Sequence, residues 1–402
     1  MRIAFIHPRY PSSEGTGAAH SATQIVNGLV ADHDVSVYCA RSPPEEMQPT
    51  QYDLYELTGN SRHPHTDTRL NKEVRARKEE LQKYDIVHSY LMRLIPSIAA
   101  VGKDSGVKTI VTLNAYGGTC ARNDLLYKGQ EDCQCKSIGK CVNCIVQSKA
   151  NNSVYSYLYA LASRGFSLRL IIKGENQLEY IDGYQALSPH MKDRYSSFEY
   201  KLNKINIIPN ILDTQFDIEH KSDFKERFRF LYVGSLRKSK GADRLIGVFN
   251  RISEQSKKDV SLTIIGDGKL KSKIQQQVKQ ANLSSTVNVE GKVPYNELPN
   301  VYARHDIFLY PGRWDEPFGR VFLEAMAAGT PIVSTDVGSV SGIIGNSGIV
   351  TKRSKSALAD AAISMLDPQE LRKYSKAGKE RANYYKSSNI VPQFETMYQE
   401  IL

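Results

Sequence analysis

The feature that most constrains this chain is an alternation of short apolar runs with longer helix-like stretches, which stops and then starts again. Residues 2–7, 35–39, 85–88 and 109–113 are apolar runs of strand length, with a helical pattern over 18–30 between the first two. A second series occupies 228–233, 261–265, 286–289, 307–310 and 331–334, separated by helical patterns near 241–253, 269–281, 298–304 and 319–328. Strands that alternate with helices in this way form parallel sheets covered on both faces, an α/β arrangement. The chain has 402 residues, and single cores stop growing at roughly 250–300 residues. Two domains are therefore expected, with the boundary near residue 212, where Ile207-Ile208-Pro209-Asn210-Ile211 leads into a charged stretch over 220–229. Residues 115–175 break the first series and read as an insertion in the first domain.

Composition excludes several classes. Hydrophobic residues make up 41% and charged residues 24%, close to globular averages, so neither a disordered chain nor a fibre is indicated. No apolar run approaches the roughly 18 residues of a membrane-spanning helix. The apolar start, Met1 to Ile6, is too short for a secretory leader before His7-Pro8-Arg9 and reads as a buried strand. A cytoplasmic protein is expected. The formal net charge of +10 suits nucleic acid, an anionic membrane surface or an acidic small substrate, and charge alone does not choose among them.

The densest chemistry lies in the second series. Gly234-Ser235-Leu236-Arg237-Lys238-Ser239-Lys240-Gly241 takes a strand end through a glycine and a run of cations to a helix start. Backbone N–H groups and cations meet at such a turn, which suits phosphate. Gly266-Asp267-Gly268 is a second glycine turn at a strand end, where ligands of open α/β sheets sit. The third element runs from Pro311 through Glu316-Pro317-Phe318-Gly319 and Glu324-Ala325-Met326-Ala327-Ala328-Gly329 to Pro331-Ile332-Val333, as strand, loop, helix and strand. Gly329 fits the position just past a helix end, and Pro331 prevents continuation. Glu324 falls within an otherwise apolar helix. A carboxylate there is costly to bury without a donor, so sugar hydroxyls are a reasonable partner. A hydrolase pair needs carboxylates about 5–9.5 Å apart across one bond. Eight helical positions would rise about 12 Å, so separate roles along an extended ligand fit better.

The span from Glu316 to Glu324 resembles the Glu-x7-Glu motif of the retaining glycosyltransferase family 4, which has the GT-B fold. Weaker matches come in the family's order: Gly15-Thr16-Gly17, Asp85-Ile86-Val87-His88, Ile208-Pro209-Asn210-Ile211-Leu212-Asp213, Lys240-Gly241 and Gly266-Asp267-Gly268. The resemblance implies two Rossmann-like doubly wound parallel-sheet domains with an interdomain cleft. Residues 1–212 would be the acceptor-side domain, residues 213–384 the nucleotide-sugar donor domain, and residues 385–402 a helix returning to the first. It further implies that Glu316, Lys240 and Arg237 are catalytic. Gly15, Gly17, Ser235, Gly266, Asp267, Gly268, Pro317, Phe318, Gly319, Val321 and Glu324 would bind the donor, with Glu324 on the ribose, Glu316 on the transferred sugar and Phe318 and Gly319 offering backbone N–H groups. Two positions depart from the family pattern. Ser235 stands where an arginine is usual, with Arg237 as the substitute. Asn114 stands where a histidine is frequent, so the acceptor side is assigned to Asn114 and His88.

The expected activity is transfer of a sugar from a nucleotide diphosphate sugar to a saccharide or lipid-linked acceptor, in cell-surface polysaccharide or glycoconjugate synthesis. Peripheral contact at the inner face of the membrane is part of that expectation, because Val154-Tyr155-Ser156-Tyr157-Leu158-Tyr159, followed by Arg164, Arg169 and Lys173, suits a lipid surface. The plainer reading is a helix packed on the first domain. No cofactor is required for catalysis. The one Asp-x-Asp match, Asp32-His33-Asp34, reads as a solvated turn. Five of the six cysteines fall between Cys120 and Cys144. Cys133, Cys135, Cys141 and Cys144 can enclose a structural zinc, with reduced thiols, a disulfide or an iron–sulfur cluster as alternatives. Two rivals are a nucleotide-sugar epimerase of the same fold and a non-catalytic RNA-binding cysteine-knuckle protein. The second lacks the aromatics near its cysteines that base stacking needs, and no nucleic acid partner is expected.

Overall fold

The structure is a computed structural model that describes residues 1–7, 17–40, 51–57, 65–128, 131–147, 154–202, 204–220 and 227–402. The chain divides into two compact units, Met1–Asn210 with Ser387–Leu402, and Ile211–Lys386. In the first unit, β1 (Arg2–His7), β2 (Asp34–Cys39), β3 (Asp53–Glu56), β4 (Ile86–Ser89) and β5 (Lys108–Leu113) are followed by a small ribbon, β6 (Leu126–Tyr127) with β7 (Glu131–Asp132). β8 (Gly183–Ala186) and β9 (Ile205–Ile207) complete it. The sheet order is β3-β2-β1-β4-β5-β8-β9, and every pairing in it is parallel.

The second unit carries β10 (Phe228–Val233), β11 (Val260–Ile265), β12 (Val287–Gly291), β13 (Ile307–Tyr310), β14 (Ile332–Thr335) and β15 (Gly348–Thr351). Their order is β12-β11-β10-β13-β14-β15, again all parallel. Each unit is thus a doubly wound sheet. Its central strands are buried on both faces, which is why the sequence shows apolar runs there instead of strict alternation. Ile3 to Ile6 of β1 and Phe230 to Tyr232 of β10 have no accessible surface.

In both sheets the chain winds outward in one direction from the first strand and then returns to its other side. The reversal falls between β1 and β4 in one unit and between β10 and β13 in the other. Loops that leave neighbouring strands at such a point diverge to opposite faces and open a crevice at the carboxyl ends. In the second unit those loops hold Lys240 and Glu316.

Two details differ from the sequence reading. β3, β8, β9 and β15 carry no strong apolar run: β3 is Asp-Leu-Tyr-Glu and β9 has three residues. Pairing with a neighbour already in place, not local pattern, makes them strands. The segment read as an insertion over 115–175 also divides in two. Helix Val154–Glu175 lies between β5 and β8, which pair in parallel, so it is part of their crossover, and it buries Leu168, Leu170 and Ile171. Only the stretch up to Gln147, with the ribbon and helix Ile138–Gln147, is added to the alternation. Helix Ser387–Ile401 packs on helix Gly17–Leu29 within the first unit. A Cβ on Gly28 would lie 2.4 Å from Val391 Cγ2.

Candidate active site

The crevice of the second unit is built from three strand ends. After β10 the chain turns at Gly234, and after β11 it turns at Gly266. The turns brace each other through Gly234 N–H to Ile265 O (3.0 Å), Leu236 N–H to Asp267 O (2.9 Å) and Leu270 N–H to Leu236 O (3.1 Å). Ser235 and Gly268 are half-buried on these turns, while Arg237 and Asp267 are exposed. The first turn ends at Gly241, whose φ of +73° and position admit no side chain, since a Cβ would stand 1.7 Å from Pro311 O. That close approach presses the residue before it, Lys240, onto the loop that follows β13.

Glu316 receives Lys240 there. Lys240 Nζ lies 2.5 Å from Glu316 Oε2, Tyr310 OH donates to the same oxygen at 2.6 Å and Trp314 Nε1 at 2.7 Å. Lys240 Nζ also stands 4.6 Å from the centre of the Trp314 ring. Glu316 is 5% exposed, so its charge is held by these donors and not by water. Its backbone is fixed as well: Ser339 N–H donates to Glu316 O at 2.9 Å. At Gly338, φ is +61° and a Cβ would come within 2.4 Å of Glu316 N. Burial beside this carboxylate and a hydrogen bond to it hold the Tyr310 hydroxyl protonated, its pKa pushed well above the ordinary value.

Glu324 sits on helix Arg320–Ala327, which follows Gly319 directly. It is 6% exposed, Tyr302 OH donates to its Oε2 at 3.1 Å and Arg320 lies 3.6 Å from its Oε1. Desolvation raises the Glu324 carboxyl above the usual range, Arg320 and Tyr302 oppose the rise, and Asp213 adds to it. Arg320 in turn donates to the Tyr295 hydroxyl, and Tyr295 OH to Asp213 Oδ2 at 3.2 Å. Pro317 and Phe318 are buried, Phe318 against the Tyr385 ring at 5.9 Å, so Phe318 presents its backbone and not its side chain; Val321 is half-buried on the first helical turn.

The residues that sequence reasoning missed are the donors: Tyr310, Trp314, Tyr302 and Arg320. Tyr310 and Trp314 had a local signal, being aromatics six and two residues before the glutamate. Tyr302 had none, because its position opposite Glu324 is made by packing of two helices.

In the first unit the outcome is mixed. Gly17 opens helix Gly17–Leu29, and Gly15 lies outside the described residues. Asn114 directly follows β5 and is partly exposed. His88 requires correction as an acceptor residue. It has no accessible surface, and its ring nitrogens meet Tyr398 OH and Thr112 Oγ1, each at 2.7 Å. Burial drives its pKa down to about 3, so it is a neutral core histidine and not a group that meets a ligand.

The zinc expectation also needs correction. Cys135 is exposed and takes a hydrogen bond from Lys140 Nζ at 3.1 Å, whereas Cys133, Cys141 and Cys144 line a cavity together with the upstream Cys120. Among the described residues no three His, Cys, Asp or Glu side chains are placed to share a metal ion, and the cysteines are free thiols. Desolvation raises the Cys133 and Cys141 thiols. The residues do not fit a metal as they stand.

Two parallel doubly wound sheets, with a carboxylate–ammonium pair at the switch point of the second, define an α/β protein of the class that binds ligands at the carboxyl ends of its strands. Comparison with known proteins agrees. The model of Glycosyltransferase Family 4 matches residues 15–216 and that of Glycosyl transferases group 1 matches residues 213–381. The chain belongs to glycosyltransferase family 4 and is a sugar-transferring enzyme. An uncharacterized glycosyltransferase of Methanocaldococcus jannaschii is 26% identical over 291 residues, 61% of this chain and 70% of that protein. N-acetyl-alpha-D-glucosaminyl L-malate synthase of Bacillus anthracis is 29% identical over 194 residues, 47% of this chain and 49% of its own. Among solved structures, sucrose-phosphate synthase from Thermosynechococcus elongatus superimposes with a TM-score of 0.75 at 18% identity, covering 100% of this chain and 98% of that one. Anabaena HepE in complex with UDP gives 0.72 at 16%, covering 100% of both chains. These likenesses show the GT-B fold.

Proposed function

We propose that the second unit binds a nucleoside diphosphate sugar and that the enzyme transfers its hexosyl group, with retention, to a saccharide or lipid-linked acceptor. Cell-surface polysaccharide or glycoconjugate synthesis at the inner face of the membrane is the setting. Glu324 would take the ribose hydroxyls. Glu316 would take a sugar hydroxyl with Oε1, which lies outside the set of contacts that engage Oε2. Lys240 and Arg237 would meet the diphosphate, together with the backbone N–H groups of Phe318 and Gly319. In the transfer the acceptor oxygen bonds to the anomeric carbon, the bond from that carbon to the diphosphate oxygen breaks, and the acceptor hydroxyl proton passes to the departing diphosphate. Charge grows on the departing diphosphate, so a preplaced ammonium lowers the barrier.

The observation that carries the reading is Lys240 held against Glu316 at the switch point, one turn before a helix with a buried Glu324. A buried carboxylate whose charge is opposed by desolvation is a poor stability element, and a hydroxyl-rich ligand gives it donors. The test is thermal stability with UDP, GDP and ADP. A diphosphate at 100 times its dissociation constant adds about 2.7 kcal/mol, and Glu324→Ala should abolish that gain. No gain from any of the three, or an undiminished gain in Glu324→Ala, would remove the donor assignment.

A further inference from the structure

Ten large apolar side chains are exposed among the described residues, and six of them lie between Ile138 and Tyr159 on two consecutive helices. On helix Ile138–Gln147, Ile138, Val142 and Val146 are exposed at a spacing of four, so they form one line along the surface, and Ile145 alone is buried. On helix Val154–Glu175, Tyr155, Leu158 and Tyr159 are exposed on one face, Tyr155 by 82%. The two helices are joined by Tyr157 OH donating to Val146 O at 2.8 Å. The C-terminal half of the second helix is packed in the first unit, so its N-terminal half is carried on a rigid base.

Charge tells what covers this face. Residues 133–174 contain no aspartate or glutamate and six cations, Lys136, Lys140, Lys149, Arg164, Arg169 and Lys173, of which Lys136 is paired with Glu175 just beyond the stretch. This one stretch thus contributes +6 to a chain whose formal net charge is +10. Apolar side chains with tyrosines among them, bordered by cations and free of acids, match the boundary between acyl chains and anionic headgroups. A second copy of the chain is a poor match, since pairing the face with itself would oppose like charges. Among the described residues no helix is long and apolar enough to cross a membrane, so the face would lie on the bilayer and not in it.

We infer that helix Ile138–Gln147 and the N-terminal half of helix Val154–Glu175 dock the protein on an anionic phospholipid bilayer. Docking serves the lipid-linked acceptor named above and rests on that reading for its purpose, but it is measured without donor or acceptor. The full chain is sedimented with vesicles of phosphatidylcholine alone and of equal parts phosphatidylcholine and phosphatidylglycerol. The native chain should pellet with the anionic vesicles and at least about tenfold less with the neutral ones. The triple variant Val142→Ser, Leu158→Ser, Tyr159→Ser changes exposed side chains and should lose at least about tenfold in binding. Lys140→Gln, which removes the cation carried on the first docking helix, should lose about fivefold. A native chain that stays in the supernatant with anionic vesicles overturns the inference, as does a triple variant that binds undiminished. A native dimer that the triple variant converts to monomer assigns the face to a second copy and overturns it too. UDP-dependent thermal stabilisation, read on the same proteins, separates the two ideas. Loss of vesicle binding alone removes the docking face and leaves the donor site, and absence of a nucleotide response alone does the reverse.

Discussion

Replacing Lys240 by methionine tests the second unit's crevice directly. The ammonium is 2.5 Å from Glu316 Oε2, with the Lys240 side chain 26% exposed and that of Glu316 6%. At an effective dielectric constant of ~20 the attraction at this separation is about 6–7 kcal/mol before desolvation is subtracted. Breaking a buried pair by removing one partner costs about 3–5 kcal/mol, because a charge is left without compensation. Tyr310 and Trp314 still donate to the same oxygen, so Lys240→Met should fall near the lower end, at about 3 kcal/mol. Trp314 is the chain's one tryptophan and touches both partners. Its fluorescence in urea therefore reports unfolding at the pair itself. Glu316→Gln removes the charge that Lys240 answers, and Lys240→Met on that background should cost under about 1 kcal/mol. A loss as large on the Glu316→Gln background as in the native chain would show that the methionine acts through packing and that the pair is not coupled. The same two variants separate binding roles. Glu316→Gln frees the ammonium and should tighten UDP binding severalfold, while Lys240→Met should weaken it.

Three further outcomes are expected. Burial holds His88 near a pKa of about 3 against roughly 6.5 when unfolded, so the unfolded chain binds the extra proton between those values. Stability is full above the higher value and is lost as pH falls through that window, by about 5 kcal/mol in all; His88→Gln should flatten this acid limb in urea titrations at successive pH. Glu324 is raised by desolvation, so its ionised form opposes folding at neutral pH. Glu324→Gln should stabilise the chain there by up to about 1 kcal/mol, seen as a higher melting temperature, while reducing nucleotide binding, and a lower melting temperature would contradict the sign. Gly338→Ala forces a Cβ to 2.3 Å from Glu316 O at a φ of +61° and should cost at least about 2 kcal/mol, read by Trp314 fluorescence.

What the sequence by itself determined was the layered class and the stretches where glycines, cations and carboxylates crowd together. Apolar runs such as Phe228 to Val233 are buried between two helical layers, and the glycines at 234 and 266 mark where strands end. Glu324 was conspicuous because a carboxylate is out of place among Leu323, Ala325 and Met326. Pairings made across the fold were not legible. Lys240 joins the nearby Tyr310 and Trp314 on Glu316 because β10 and β13 became neighbours although their first residues lie 79 positions apart. Tyr302 reaches Glu324 because two helices cross. His88 looked like a ligand-facing histidine because a strand shows its residues without saying what will cover them. Only the returning helix, with Tyr398 against the ring, decided that it belongs to the core. Local sequence sets which groups an element carries, and side-chain environment depends on elements remote in the chain; burial, partner and charge state are therefore properties of the tertiary structure.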